Sequence, residues 1–82
     1  VNRVAAAADL AAATQQLAGE LLACAPLAVG LAKGILNAAG RPGLAGTLEQ
    51  ELAAQELCAT SEDFREGTRA LAEKRAPSFI GR

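Results

Sequence analysis

The sequence contains no histidine, methionine, tryptophan or tyrosine, and only two phenylalanines among its 82 residues. Without histidine, the usual Ser-His-Asp hydrolase triad has no base. Without spaced aromatic residues, the chain has no stacking platform for single-stranded nucleic acid. Its eight basic residues are matched by nine acidic ones, so we expect no basic surface for a phosphate backbone. These absences exclude the usual triad and argue against a nucleic-acid partner.

Cysteine is also scarce. Cys24 and Cys58 lie far apart and form no C-x-x-C motif. Zinc sites need four close ligands, commonly in paired spacings, so we expect no metal site. Both cysteines lie in alanine- and leucine-rich runs, where a free cysteine is usually a small buried hydrophobe. The sequence does not decide between two buried thiols, which we favour, and a disulfide. Free thiols predict a reducing, cytoplasmic location.

Long apolar runs are missing as well. Asp9, Gln15 and Glu20 interrupt the first apolar stretch, and no run reaches the roughly 18–20 residues of a membrane-spanning helix. The single Arg3 followed by four alanines does not form a signal peptide. We therefore expect no membrane partner. The first residue is Val1 and not methionine, which indicates an internal start.

Alanine and leucine dominate what is present, with 21 and 12 copies. A chain of this length forms one small domain at most. Alanine has only a methyl group to bury, so the core is expected to be thin. Such a chain needs a partner, or a second copy of itself, to be stable.

The pattern of caps, prolines and leucines predicts an all-α chain of about four helices after a short extended segment, Val1–Val4. Asp9 is expected to cap the first helix and Pro26 to begin the second, which Gly40 closes. The third helix is predicted from about Leu44 to Thr60. Thr60 or Ser61 caps the fourth, which Pro77 ends. The expected apolar stripes are Leu10, Leu17, Leu21 and Cys24; Leu27, Leu31 and Ile35; Leu44, Leu48 and Leu52; and Phe64 with Leu71.

Few residues carry chemistry on these helices. The carboxylate pairs Glu49 with Glu56 and Glu62 with Glu66 are typical of solvated helix faces. The Gly40–Gly43 turn lacks the lysine of a phosphate-binding loop. Lys74 and Arg75 have two interpretations: they complement the dipole at a helix end, or they form a cationic end for an anionic ligand such as a phosphate.

Four segments of the chain resemble the crotonase (enoyl-CoA hydratase/isomerase) superfamily in the order in which that family has them. The segments are Val1-Asn-Arg-Val4 before the alanine-rich helix; Ala25-Pro-Leu-Ala-Val29 with Ala32-Lys33; Leu48-Glu49 to Glu56-Leu57; and Ser61-Glu-Asp-Phe-Arg-Glu-Gly67 with Glu73-Lys-Arg-Ala-Pro-Ser-Phe79 and Gly81-Arg82. The last segment is the most specific. Together they cover essentially the whole chain.

The resemblance implies that the chain is the C-terminal helical trimerisation region of a ClpP/crotonase-like α/β fold. Residues 1–4 would end a strand of the catalytic core, and residues 5–82 would form the oligomerisation region of a homotrimer or hexamer. The N-terminal spiral core, with its oxyanion hole and catalytic glutamates, is absent from this chain. The parent would act on acyl-CoA thioesters, most simply by hydrating trans-2-enoyl-CoA, with coenzyme A as part of the substrate. The chain alone is expected to be inactive.

The resemblance also implies one binding role. The lysine at the position of Lys74 reaches the coenzyme A phosphates of a neighbouring subunit in relatives, where an aromatic residue three positions earlier lies near the adenine. This chain has Leu71 there, which weakens an adenine contact and leaves the charge contact intact. Phe79 is expected at the same subunit contact. Lys33 matches a family position to which we assign no role. The alternative is an independent helical protein-interaction module without catalysis or affinity for coenzyme A.

Overall fold

The computed structural model describes residues 2–82, whose regular elements are all helices and which contain no strand. A 3₁₀ turn, Ala7–Asp9, is followed by α1 (Leu10–Leu22), α2 (Pro26–Ala38), α3 (Gly43–Thr60) and α4 (Glu62–Glu73). This confirms the predicted all-α class with four helices. Val1 lies outside the described residues, and residues 2–6 have no regular structure. The predicted strand end at Val1–Val4 therefore stays a prediction.

The ends of α2 follow the sequence signals. Ala25 is extended, with φ −61° and ψ 118°, and Pro26 begins the helix, because a proline disfavours helical backbone in the residue before it. Gly40 has a φ of 88° beyond the other end, a conformation that glycine adopts without a steric cost. Asp9 was expected to cap α1, but its side chain makes no capping hydrogen bond. Asp9 is the last residue of the 3₁₀ turn and has a nearly helical backbone, whereas a cap needs an extended one.

Gly46 leaves room for Pro42 to pack against the first turn of α3. A Cβ at Gly46 would lie 2.7 Å from the Cβ of Pro42, a separation that real side chains do not tolerate. Gly43 starts α3 with a φ of 68°, one residue before the predicted start at Leu44. The first turn of α3 thus depends on glycine at both of these positions.

The helices form an open and flat arrangement. The helix packing is between α2 and α3 and between α3 and α4, and the segment Ala7–Leu22 is bent by 110° from α2. The dimensions are 42 × 39 × 18 Å and the radius of gyration is 15.7 Å. A compact domain of this length would have a radius of gyration of about 12 Å. The chain therefore lacks the shape of a self-sufficient domain.

The apolar stripes remain largely uncovered. The buried residues of the described range are Ala70, Asp63 and Glu66, and only the first of these is apolar. The accessible surface is 6532 Å², whereas a folded monomer of 8.3 kDa has about 4,600 Å². The exposed large hydrophobic residues are Val4, Leu10, Leu17, Leu21, Leu22, Leu36, Leu44, Leu48, Leu52, Leu57, Phe64, Leu71 and Ile80.

The two cysteines are free thiols, and Cys24 is exposed while Cys58 is half-buried. The prediction that both are buried is therefore wrong for Cys24, because no other element covers the end of α1. Its Sγ donates to the Glu20 carbonyl oxygen at 3.4 Å. In residues 2–82, no single helix is both long and apolar enough to cross a membrane; the segment Ala7–Leu22 and α2 meet the criterion only as a bent pair.

Candidate functional site

The C-terminal tail, residues 75–82, is held against α4 by a buried carboxylate. Asp63 is 2% exposed. Its Oδ1 accepts a hydrogen bond from the Ile80 N–H at 2.7 Å, and its Oδ2 accepts one from the Gly81 N–H at 2.8 Å. The Asp63 N–H in turn donates to the Arg82 carbonyl oxygen at 2.9 Å. One residue of the first turn of α4 thus fixes the last three residues of the chain.

A second carboxylate, three residues further along α4, holds the start of the tail. Glu66 Oε1 lies 2.6 Å from Arg75 Nη1 and 2.9 Å from the Ser78 N–H, and Oε2 lies 3.0 Å from Arg75 Nη2. Arg69 also pairs with Oε2. The hydrogen bonds from Arg75, followed by those from Arg69 and Ser78, hold the pKa of Glu66 well below its usual range. The fork of the Arg75 guanidinium matches the carboxylate in a bidentate geometry.

These contacts decide what the two carboxylates can do. All four of their oxygens accept hydrogen bonds from the chain itself, so neither carboxylate is free to act as a general acid or base. The expectation that Glu66 belongs to a solvated face is wrong, because the tail covers it. Glu62 remains exposed and faces Arg82 at 3.5 Å. The arrangement is a clamp for the tail, and we call Asp63 and Glu66 the carboxylate clamp.

Lys74 forms the turn between α4 and the tail. Its φ is 55° and its ψ 40°, the left-handed conformation that usually carries glycine at this place. The Lys74 N–H donates to the Leu71 carbonyl oxygen at 3.2 Å, and the Arg75 N–H to that of Ala70 at 3.0 Å. These two bonds form a Schellman motif. The Lys74 side chain makes no hydrogen bond or ion pair with any described residue.

The structure therefore separates the two neighbouring cations. Arg75 is engaged by Glu66 and Glu73, whereas Lys74 projects from an exposed position. The expectation that α4 continues to Pro77 is wrong: it ends at Glu73, so neither cation lies in the last turn. Both cations lie just beyond the last turn, with Lys74 at the C-cap of α4.

Leu71 lies beside an apolar depression of about 370 Å³ on one side of α4. The depression is lined by Ala25, Cys58, Ser61, Asp63, Phe64, Gly67, Thr68, Leu71 and Phe79. The Phe79 ring packs over Gly67, where an added Cβ would lie 3.5 Å from Cε1. Leu71 itself is 80% exposed. The sequence-predicted pair Leu71 and Lys74 thus lies together at the end of α4, with an apolar surface next to an unpaired cation.

The other candidate residues lie elsewhere. Lys33 is exposed on α2, and we assign it no role. A second open groove, of about 640 Å³, runs between α2 and α3 and includes Ile35, Leu48 and Leu52 in its lining. Within the part of the chain that the structure describes, no group of three or more cysteine, aspartate or glutamate side chains is placed to hold a metal ion.

Sequence reasoning missed the carboxylate clamp. The sequence pattern predicts a solvated helix face for Glu66 and no individual role for Asp63, although both fall in the most specific segment of the family resemblance. What the pattern could not show is that their partners are backbone N–H groups of Ser78, Ile80 and Gly81. A backbone donor leaves no signature in the sequence. The three-residue spacing of the carboxylates was the one available signal, since it places them on the same face of α4.

A comparison with curated proteins finds a relative whose name includes an acyl-CoA thioester. The chain is 38% identical over 73 residues to the 1,2-epoxyphenylacetyl-CoA isomerase of Escherichia coli (strain K12). This similarity supports a relation to the crotonase superfamily. The match covers 89% of this chain and 28% of the isomerase, so the chain spans less than a third of its relative's length. The all-helical fold is consistent with the C-terminal helical region of a crotonase.

No family model matches the chain, and no solved structure matches it. The relation therefore rests on the curated relative and on the segments shared with the crotonase pattern.

Proposed function

We propose that the chain is the C-terminal helical part of a crotonase-superfamily enzyme that acts on acyl-CoA thioesters in the cytoplasm. Hydration of a trans-2-enoyl-CoA is the reaction that we favour for the parent. In this proposal the chain packs on its own catalytic core and on sister subunits of a homotrimer or hexamer. The 38% identity to an isomerase whose name contains a CoA thioester is the observation that carries the proposal.

The uncovered surface supports the structural half of this proposal. The chain exposes roughly 1,900 Å² more than a folded monomer of its mass. Obligate interfaces bury about 2,000–5,000 Å² in total and are rich in apolar residues. The exposed leucines of α1, α2 and α3 have this composition. A catalytic core and neighbouring subunits together would cover a surface of this size.

The chemistry would come from the part of the enzyme outside this chain. Both buried carboxylates already have hydrogen-bond partners, and the described residues include no histidine. What the chain offers is a binding contact. We propose that Lys74 contacts a coenzyme A phosphate bound by a neighbouring subunit, and that Leu71 lies near the adenine.

The test of this contact uses the full gene product and coenzyme A. Lys74→Gln removes the positive charge and keeps a polar, shorter side chain. We expect the dissociation constant for coenzyme A, measured by isothermal titration calorimetry, to rise about tenfold, as for the loss of one charge-assisted contact. Lys33→Gln, on the exposed face of α2, is the matched control and should leave the constant unchanged. Equal affinities for Lys74→Gln and the unaltered protein would refute the contact.

The parent reaction is tested with crotonyl-CoA. The full gene product should hydrate it, and the 82-residue chain alone should form oligomers or aggregates and show no turnover. Turnover by the isolated chain would show that its catalytic groups are present after all. A gene whose start methionine directly precedes Val1, together with a monodisperse monomer without coenzyme A affinity, would instead support the independent interaction module.

A further inference from the structure

We propose that Glu66 is the positioning residue for Lys74, acting through Arg75 and the tail to hold the Lys74 ammonium group where its phosphate ligand binds. This inference rests on the proposed role of Lys74 and adds to it a residue that does not itself touch the ligand. It follows from three features of the turn: the backbone of Lys74 is strained, Glu66 holds the residues that follow Lys74, and Glu66 is buried.

The first feature is the backbone of Lys74. A residue other than glycine in the left-handed region is strained and persists only where its surroundings impose that conformation. Glycine at this place would avoid the strain. With φ at 55°, the chain keeps a strained lysine whose side chain has no partner among the described residues. Such an outlier indicates that the side chain is needed for something outside the turn.

The second feature is what imposes the conformation. Glu66 holds the Arg75 guanidinium at 2.6 Å and 3.0 Å, and it accepts the Ser78 N–H at 2.9 Å. The segment from Arg75 to Ser78 therefore wraps around a single carboxylate. Pro77 stiffens this segment, since its ring fixes its own φ and restricts Ala76 to extended backbone. Lys74 is the residue at which the chain turns from α4 into this wrapped segment.

The third feature is the environment of Glu66. The residue is 9% exposed, and Arg69 supplies a further donor to its Oε2. A carboxylate that is largely shielded from solvent holds its partners in a defined geometry, whereas an exposed ion pair contributes little. Glu73 offers the contrast, because it also pairs with Arg75, at 2.6 Å, but its side chain is 52% exposed.

The experiment is a double-mutant cycle in the full gene product, with the dissociation constant for coenzyme A as the readout. Glu66→Gln should raise this constant about threefold, and Lys74→Gln about tenfold. The double variant should bind no more weakly than Lys74→Gln alone, because a mispositioned lysine and an absent one lose the same contact. Glu73→Gln is the matched control and should leave the affinity unchanged.

Other outcomes distinguish the two proposals. If Lys74→Gln binds coenzyme A as well as the unaltered protein does, the proposed contact of Lys74 fails. If Lys74→Gln weakens binding and Glu66→Gln does not, only the positioning role fails. If Glu66→Gln weakens binding equally in the presence and absence of Lys74, its effect is merely structural and the inference is overturned. Should Glu66→Gln fail to fold, Arg75→Lys keeps the charge, loses the bidentate geometry and should show the same dependence on Lys74.

Discussion

Asp63 Oδ1 and the Ile80 N–H are joined by a 2.7 Å hydrogen bond across 17 positions of sequence, and this bond docks the end of the chain on the first turn of α4. The same carboxylate holds the next N–H, that of Gly81. Gly81 has a φ of 85°, and a Cβ on it would lie 3.6 Å from Pro26. The tail, docked on α4, therefore passes close to Pro26 at the start of α2.

Removing the Asp63 carboxylate should release this tail. Asp63→Ala removes the acceptors of the Ile80 and Gly81 N–H groups, and a hydrogen bond to a charged group contributes roughly 1.5–3 kcal/mol. We expect fast hydrogen–deuterium exchange of the Ile80 and Gly81 N–H groups, with the exchange of α2 unchanged. Glu62→Ala, which removes an exposed acid from the same turn, is the control. Unaltered protection of the tail in Asp63→Ala would contradict the clamp.

The carboxylate clamp should also make stability depend on pH. Because the fold lowers the pKa of Glu66, its contribution to the free energy of unfolding is fully present above the ordinary value of about 4.3 and is lost as the pH falls below it. The melting temperature of the unaltered protein should therefore exceed that of Glu66→Gln at pH 7, and the difference should shrink by pH 3. Thermal unfolding followed by circular dichroism measures both. A difference that is constant with pH would show that the Glu66 charge has no such role.

Lys74→Gly should stabilise the protein while it weakens ligand binding. Glycine relieves the left-handed strain, which costs of the order of 1–3 kcal/mol, against the larger entropy that glycine loses on folding. We expect a net gain of up to about 1 kcal/mol in urea-induced unfolding. Lys74→Ala keeps the strain and should show no gain. Strain kept for the proposed ligand contact would be a trade-off between stability and function. A loss of stability in Lys74→Gly would contradict this prediction, because the strain would then be smaller than the entropy that glycine loses.

The local structure was largely readable from the sequence. Pro26 and Gly40 bound α2 as predicted, and Ser61 caps α4 by accepting the Phe64 N–H at 3.0 Å. These signals work because capping and backbone preferences act within a few residues. The candidate pair of Leu71 and Lys74 came from the family resemblance, and the structure brings the two together at the end of α4. Their contact with coenzyme A stays a prediction.

What the sequence determined by itself is the set of helices and the thinness of the core, because both follow from residue type and spacing. What only the tertiary structure decided is the role of the acidic residues on α4. Asp63 and Glu66 are buried by a tail whose donors are mainly backbone N–H groups, and any residue except proline supplies such a donor. The tail also gives Arg75 and Lys74 different surroundings. The buried Glu66 carboxylate binds Arg75, whereas the Lys74 side chain stays exposed.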